Sequence, residues 1–134
     1  MIELLLTIAL IGSIVLVVLI FASKRIPKQL NKSYFTKEWR YLQVMCGSKD
    51  TWPLAIINAD KLLDTALKKR RFSGKTMGER LVSAQKKFTN NDSVWFAHKL
   101  RNRLVHEQDV SLREKDVKEA LIGFRQALKD LGAL

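Results

Sequence analysis

The sequence predicts an all-α protein, with a single N-terminal transmembrane helix followed by an antiparallel bundle of four or five helices. Three observations support this prediction. Residues 4–22 are an uninterrupted apolar run, and apolar residues elsewhere recur at the three- and four-residue spacing of helices. No segment alternates apolar and polar residues as a half-buried strand would. The length of 134 residues allows one small soluble domain, which excludes a large multidomain enzyme.

The apolar run, LLLTIALIGSIVLVVLIFA, contains no charge, proline or asparagine. At about 1.5 Å rise per residue, a helix of this length matches the roughly 30 Å hydrocarbon layer of a bilayer. A buried core helix would show a polar stripe, and a cleavable signal peptide would have a basic start and a shorter apolar stretch. Since neither feature is present, we expect residues 1–23 to be an uncleaved anchor that places residues 4–22 in the lipid bilayer.

The charges that flank this run predict its orientation. No Lys or Arg precedes the run, whereas four follow it: Lys24, Arg25, Lys28 and Lys32. The positive-inside rule therefore predicts a single-pass protein of the cell's inner (plasma) membrane, with its N-terminus outside and its C-terminal domain in the cytosol. A single cysteine, Cys46, excludes an intrachain disulfide and agrees with a reducing compartment. Residues 24–50 are expected to form a basic juxtamembrane linker and helix.

Five helices are predicted in the soluble part, and residues 51–134 are expected to form the main bundle. The predicted helices are 33–46, about 51–71, 76–88, 94–107 and one that begins near residue 111. Ser73-Gly74 is expected to end the second of these helices. Asn90 to Ser93 is expected to be a turn with an N-cap before the fourth. Ser111 and Glu114 have the spacing of a capping box for the fifth.

Few residues point to catalysis by a metal, a cofactor or a nucleophile. The six glycines are scattered, so no phosphate-binding loop is present, and one cysteine excludes a cysteine-based metal centre. His98 and His106 lie about two helical turns apart, which is too far for both to bind one zinc ion without another element. No Ser-His-Asp motif is evident. The sequence predicts no metal site and no cofactor.

The fourth predicted helix carries an unusual polar stripe. His98, Asn102 and His106 follow each other at intervals of four residues, and Arg101 lies on the flank of that stripe. The opposite, buried face of the helix is expected to consist of Ala97, Leu100 and Leu104. A solvated surface stripe is the simplest alternative, with His106 near the helix C-terminus, where a cation complements the dipole.

The segment Arg101-Asn102-Arg-Leu-Val-His106 resembles the R-x4-6-H signature of HEPN (higher eukaryotes and prokaryotes nucleotide-binding) domains. The motif lies late on a helix, Asn follows Arg, and a further amphipathic helix comes next, as in that family. The helix at 52–67 and the MGERL segment at 77–81 are also similar to family members. The resemblance covers about residues 51–134, and the anchor and the first soluble helix lie outside it.

The resemblance implies an all-α bundle that acts, as many members of the family do, as a metal-independent endoribonuclease and a homodimer. It implies Arg101, Asn102 and His106 as the catalytic residues. An imidazole, whose pKa is ordinarily about 6.5, suits a general base or acid at neutral pH. A guanidinium can hold two phosphate oxygens in a fork, and an amide one turn before the imidazole can orient it. The product would be a 2′,3′-cyclic phosphate.

The formal charge of +11 fits an RNA substrate. Candidate RNA-binding residues are Lys68, Lys69, Arg70, Arg71, His98 and Arg103. Basic residues at positions 68–71 also complement the dipole at a helix C-terminus, so this cluster has a structural explanation as well. Because the family includes toxin-like nucleases, an antitoxin or another regulatory protein is a candidate partner.

A second function remains open because a fold does not determine an activity. The chain can be a catalytically inactive HEPN-like module that binds a protein partner or a nucleotide at the cytosolic membrane face. An exposed Arg101–His106 pair in a basic cleft would favour the nuclease. A pair held by core carboxylates such as Asp60 or Asp64 would favour the binding module.

Overall fold

The computed structural model describes residues 1–23 and 26–134 in full, and only the backbone of residues 24 and 25. Two short 3-10 turns, Lys49–Thr51 and Gln85–Lys87, precede the third helix and follow the fourth, and the described residues form no strand. The prediction of an all-α chain with one apolar N-terminal helix is confirmed. The helices are α1 (Ile2–Arg25), α2 (Lys32–Met45), α3 (Trp52–Lys69), α4 (Met77–Ala84), α5 (Asn91–His106) and α6 (Glu114–Asp130).

The apolar helix α1 buries none of its residues between Ile2 and Ser23 against the rest of the chain. Exposure of its large apolar side chains ranges from 44% at Ile20 to 75% at Ile2. This finding contradicts the alternative of a core helix, which would bury one face. By length and composition, α1 is long and apolar enough to cross a membrane.

Helix α3 lies at the centre of the soluble domain and packs against α2, α4, α5 and α6. Its alanines at positions 55, 59 and 66 are fully buried. Their small side chains let the neighbouring helices approach α3 closely. Three residues of α2 pack into the same core, namely Phe35, Trp39 and Leu42. The neighbouring helices α5 and α6 pack extensively on each other and on α3, which completes the bundle.

The start of α5 differs from the prediction by one turn. The helix begins at Asn91 rather than Val94, because Asn90 is the N-cap and its side-chain oxygen accepts a 3.0 Å hydrogen bond from the Ser93 backbone N–H. The residues predicted as a turn are therefore the first turn of the helix. An Asn side chain satisfies a free N–H at this position as well as Ser does.

The capping box predicted at Ser111 and Glu114 is absent. Helix α6 begins at Glu114 with Arg113 as its N-cap, so Ser111 lies two residues before the N-cap and out of register for capping. A complete capping box forms instead at α4, where the Glu79 backbone N–H donates to Thr76 Oγ1 at 3.2 Å and the Glu79 side chain accepts from the Thr76 N–H.

The end of α3 also differs from the prediction. The helix stops at Lys69, before Ser73-Gly74, because Arg71 takes a left-handed conformation with φ of 63°. The Phe72 N–H then donates to the Leu67 carbonyl at 3.1 Å, which closes the helix in the manner of a Schellman motif.

Helices α5 and α6 meet at a contact that only glycine allows. A Cβ atom placed on Gly123 would lie 2.5 Å from the Ser93 carbonyl oxygen and 2.7 Å from Ser93 Oγ. The first of these atoms belongs to the backbone of α5, so the clash cannot be relieved by a side-chain rotation. Gly123 therefore sets the distance between the two helices.

We predict that Gly123→Ala lowers the free energy of unfolding by about 1–3 kcal/mol, because the two helices must separate to admit the methyl group. The measurement is a urea titration of the full chain in an uncharged detergent, followed by tryptophan fluorescence. Gly78→Ala is the matched control, since its new Cβ would meet atoms no closer than 3.9 Å. The control should leave stability unchanged or raise it by up to about 1 kcal/mol. Equal losses in both variants would contradict this account.

Candidate functional site

An open groove of about 790 Å³ runs between α3, α4 and α5 and contains all three residues implied as catalytic. Helix α5 forms one wall, α3 forms the floor, and the start of α4 forms the opposite wall. The lining residues are Asp60, Lys61, Asp64, Lys75, Thr76, Met77, Gly78, Arg80, Trp95, His98, Lys99, Arg101, Asn102 and His106.

Asp60 is the most deeply buried charged residue of the groove, with 2% of its surface exposed. It lies on α3 between the fully buried residues Ala59 and Leu63, where an unpaired carboxylate would be costly. Two residues of α5 compensate it. His98 Nδ1 lies 2.8 Å from Asp60 Oδ1, and Arg101 Nε lies 3.2 Å from Asp60 Oδ2. The second contact is an ion pair without hydrogen-bond geometry.

Two further hydrogen bonds close these groups into a ring, which we call the Asp60 ring: Asp60, His98, Asn102 and Arg101. Arg101 Nη1 donates to Asn102 Oδ1 at 2.9 Å, and Asn102 Nδ2 lies 3.3 Å from His98 Nε2. Because the amide nitrogen can only donate, His98 Nε2 is the acceptor and the ring proton lies on Nδ1. In this network His98 Nδ1 donates to the Asp60 carboxylate.

A second carboxylate of α3, Asp64, connects α3 to α4. Arg80 is 7% exposed; its Nε donates to Asp64 Oδ1 at 2.7 Å, and its Nη1 donates to the Gly74 carbonyl at 2.7 Å. Burial raises the pKa of the Asp64 carboxyl, but hydrogen bonds from Arg80 and Lys68 outweigh it and hold the pKa below its ordinary value. This pairing therefore stabilises the fold above the ordinary carboxyl pKa and is lost as the pH falls through the lowered one.

The two ends of the Arg101–His106 motif have different environments. Arg101 is held by the Asp60 ring, with 26% of its side chain exposed. His106 is exposed at the last residue of α5, and no hydrogen bond or ion pair ties its side chain to the described part of the chain. Neither criterion stated for the pair as a whole therefore applies, because the arginine is held by a core carboxylate and the histidine is exposed.

The residues proposed to bind RNA lie in several places. His98 is buried rather than on a surface stripe, and both of its ring nitrogens are engaged in the Asp60 ring. Arg103 pairs with Glu107 at 3.3 Å. Neither Arg103 nor the 68–71 cluster lines the groove. Within that cluster, Lys68 Nζ pairs with Asp64 at 2.8 Å.

Three lysines that do line the groove were not singled out as a group by sequence reasoning: Lys61, Lys75 and Lys99. All three are exposed, and within the described residues no carboxylate pairs with them. The two carboxylates of the groove are already paired with arginines, so these lysines give it a net positive charge. Lys61 and Lys99 adjoin Asp60 and His98 in sequence, so they could be found once those two residues were recognised as partners.

No group of three His, Cys, Asp or Glu side chains among the described residues is placed to hold a metal ion. A scan against protein-family models finds no match for the chain, and searches of curated proteins and of solved structures find none either. The resemblance to HEPN domains therefore depends on the motif residues themselves.

We predict that Asp60→Ala lowers the free energy of unfolding by about 2–4 kcal/mol, because it leaves the buried His98 Nδ1 without an acceptor and removes the ion partner of Arg101. Urea denaturation of the full chain, followed by tryptophan fluorescence, measures the change. Glu107→Ala is the control, since it removes a carboxylate that is 53% exposed and, among the described residues, pairs with Arg103 alone. Its loss should stay below about 1 kcal/mol. Comparable losses of stability in the two variants would show that Asp60 contributes no more to stability than an exposed carboxylate.

Proposed function

We propose that the protein is a membrane-anchored, HEPN-like, metal-independent endoribonuclease. The observation that carries the proposal is that Arg101, Asn102 and His106 line one groove, together with three uncompensated lysines. The Asp60 ring holds two of these residues in place before a substrate arrives. Fixed donors stabilise developing charge without reorganising during the reaction, which favours catalysis.

The proposed reaction is a transesterification within the RNA. His106 accepts the proton of a 2′-hydroxyl as its oxygen attacks the adjacent phosphorus. The bond from phosphorus to the 5′-oxygen breaks, that oxygen takes up a proton, and a 2′,3′-cyclic phosphate remains. Arg101 stabilises the negative charge on the phosphorane, and its Nη2 has no partner among the described residues. Asn102 holds the guanidinium through Nη1.

A homodimer would complete this site. One exposed imidazole supplies a general base, whereas protonation of the 5′-oxygen needs an acid on the other side of the phosphate. Two motif helices paired across a two-fold axis would place a second His106 there. The open form of the groove in one chain is consistent with a site that needs a second copy.

We further propose that α1 inserts in the cell's inner membrane, with residues 24–134 in the cytosol. The four basic residues that follow the apolar run, and the lack of any before it, support this orientation. The domain would then meet RNA at the membrane surface. An antitoxin or another regulatory protein would control access to the groove.

A catalytically inactive module that binds a protein or nucleotide is the second candidate. One observation favours it: Asp60 compensates the charge of Arg101 within the folded chain. An arginine whose charge is already paired attracts a phosphate less strongly. In this case the groove binds its ligand mainly through Lys61, Lys75 and Lys99.

We predict that the full chain, purified in an uncharged detergent, cleaves RNA in the presence of EDTA. Arg101→Ala and His106→Ala should each lower the rate by about 100-fold or more, because they remove a fixed charge and a general base. Gel electrophoresis measures cleavage, and the products should carry 2′,3′-cyclic phosphates. RNA with 2′-O-methyl groups should remain intact.

Arg113→Ala is the matched control, because Arg113 is 76% exposed at the start of α6 and lies outside the groove. Its rate should equal that of the unchanged chain. Equal rates in all four proteins would exclude the proposed site. Binding of RNA without cleavage over a broad panel would instead favour the inactive module.

We also predict that a protease added to inside-out membrane vesicles digests the soluble domain, whereas the same protease added to intact spheroplasts does not. The physical reason is the excess of basic residues on the domain side of α1. Replacing Lys24, Arg25 and Lys28 with Gln, and adding three lysines before the apolar run, should reverse the two results. Digestion of the soluble domain in both preparations would exclude a transmembrane α1.

A further inference from the structure

The groove contains one large aromatic side chain, Trp95, which the proposed reaction does not use. The other two tryptophans of the chain, Trp39 and Trp52, are buried, with 7% and 8% of their surfaces exposed. Trp95 is only partly buried, and it is the one Phe, Tyr or Trp among the described residues that line the groove. Trp95 also packs against the core, but unlike Trp39 and Trp52 it keeps part of its surface in the groove.

The indole of Trp95 is held in a fixed orientation. Its ring lies edge-on to His98, with centroids 5.9 Å apart and an interplanar angle of 76°. His98 is itself fixed by the Asp60 ring. The indole Nε1 has no hydrogen-bond partner among the described residues and is not among their buried unpaired nitrogens. A rigid ring with an accessible donor can bind a ligand at little conformational cost.

The backbone of Gly78 lies close to the six-membered end of this indole. A Cβ atom at Gly78 would lie 3.9 Å from Trp95 Cη2 and 3.9 Å from His98 Nε2, so a larger side chain there would extend over both rings. Across the groove from Trp95, the first turn of α4 thus presents only backbone at this position.

The charges of the groove indicate the kind of ligand that would lie against Trp95. Lys75 and Lys99 line the same groove, are exposed, and have no carboxylate partner among the described residues. Ammonium groups beside an aromatic ring match a nucleotide, whose phosphates need cations and whose base needs a flat apolar surface. Single-stranded RNA offers both, since its bases are free to stack on a side chain.

We propose that Trp95 is the stacking platform for a nucleobase next to the phosphate that Arg101 and His106 contact. The inference depends on the proposed function for the location of that phosphate. It adds a base-binding subsite that requires a single-stranded RNA substrate. Stacking on a π-face is tolerant of sequence, so this subsite selects unpaired bases and not one particular base.

The test measures binding alone, so that it does not depend on cleavage. The probe is a fluorescein-labelled 2′-O-methyl oligonucleotide of about eight nucleotides, which lacks the attacking hydroxyl. The full chain in uncharged detergent is titrated by fluorescence anisotropy. A second probe of the same length carries abasic sites, so it keeps the phosphates and lacks the bases.

Trp95→Leu should weaken binding of the base-containing probe by about 5- to 100-fold, the range measured for single stacked bases. It should leave binding of the abasic probe nearly unchanged, because the lysines remain. Trp95→Phe should restore much of the affinity through its ring. Lys99→Ala should weaken binding of both probes alike and reduce the dependence of affinity on salt.

Gly78→Leu provides a second variant that keeps the indole in place and covers it. It should weaken binding of the base-containing probe as Trp95→Leu does, and circular dichroism should show both variants folded. Equal affinity of the unchanged chain for the two probes would overturn the subsite. Base-dependent binding by a chain that cleaves no RNA would support the subsite and overturn only the nuclease.

Discussion

The compensation of one buried carboxylate governs the arrangement of this domain. Asp60 lies in the centre of α3, the helix against which all the others of the soluble part pack. A charge in that position is tolerated only where partners with good geometry surround it. From α5, His98 supplies a hydrogen bond to this carboxylate and Arg101 an ion pair, and Asn102 hydrogen-bonds both of these residues. The contacts that hold α5 in position against α3 therefore also fix the geometry of the candidate site.

One turn later on α3, Asp64 repeats this arrangement with α4. Arg80 reaches from α4 to Asp64 and to the Gly74 carbonyl, so one guanidinium fixes both the helix and the loop that precedes it. The two walls of the groove are thus positioned by two acids on its floor. The stability of the domain and the geometry of the candidate site depend on the same buried polar groups, so the two properties are closely coupled.

Sequence periodicity was sufficient to predict the helices of the soluble domain, because most of their apolar residues pack on a shared core and recur at helical spacing. Helix ends were less predictable: α5 begins one turn earlier than expected, with Asn90 as its cap, and Arg71 takes a backbone conformation that glycine usually occupies. The site was only partly predictable. The spacing of Arg101, Asn102 and His106 predicts that they lie close together on α5, and all three line the groove. The burial of His98, however, depends on Asp60, which lies 38 residues away. Such contacts between distant segments leave no periodic signal.

The connection between α1 and the domain has a geometric consequence for assembly. Leu30 is 6% exposed and packs in the core, so only residues 26–29 separate the apolar helix from the folded part. Four extended residues span at most about 14 Å. For two copies whose α1 helices cross one bilayer in the same direction, a linker this short would keep the same side of each domain towards the lipid. A symmetric pair of such copies would then place its two-fold axis along the membrane normal, because an axis in the membrane plane would turn one domain away from its own α1.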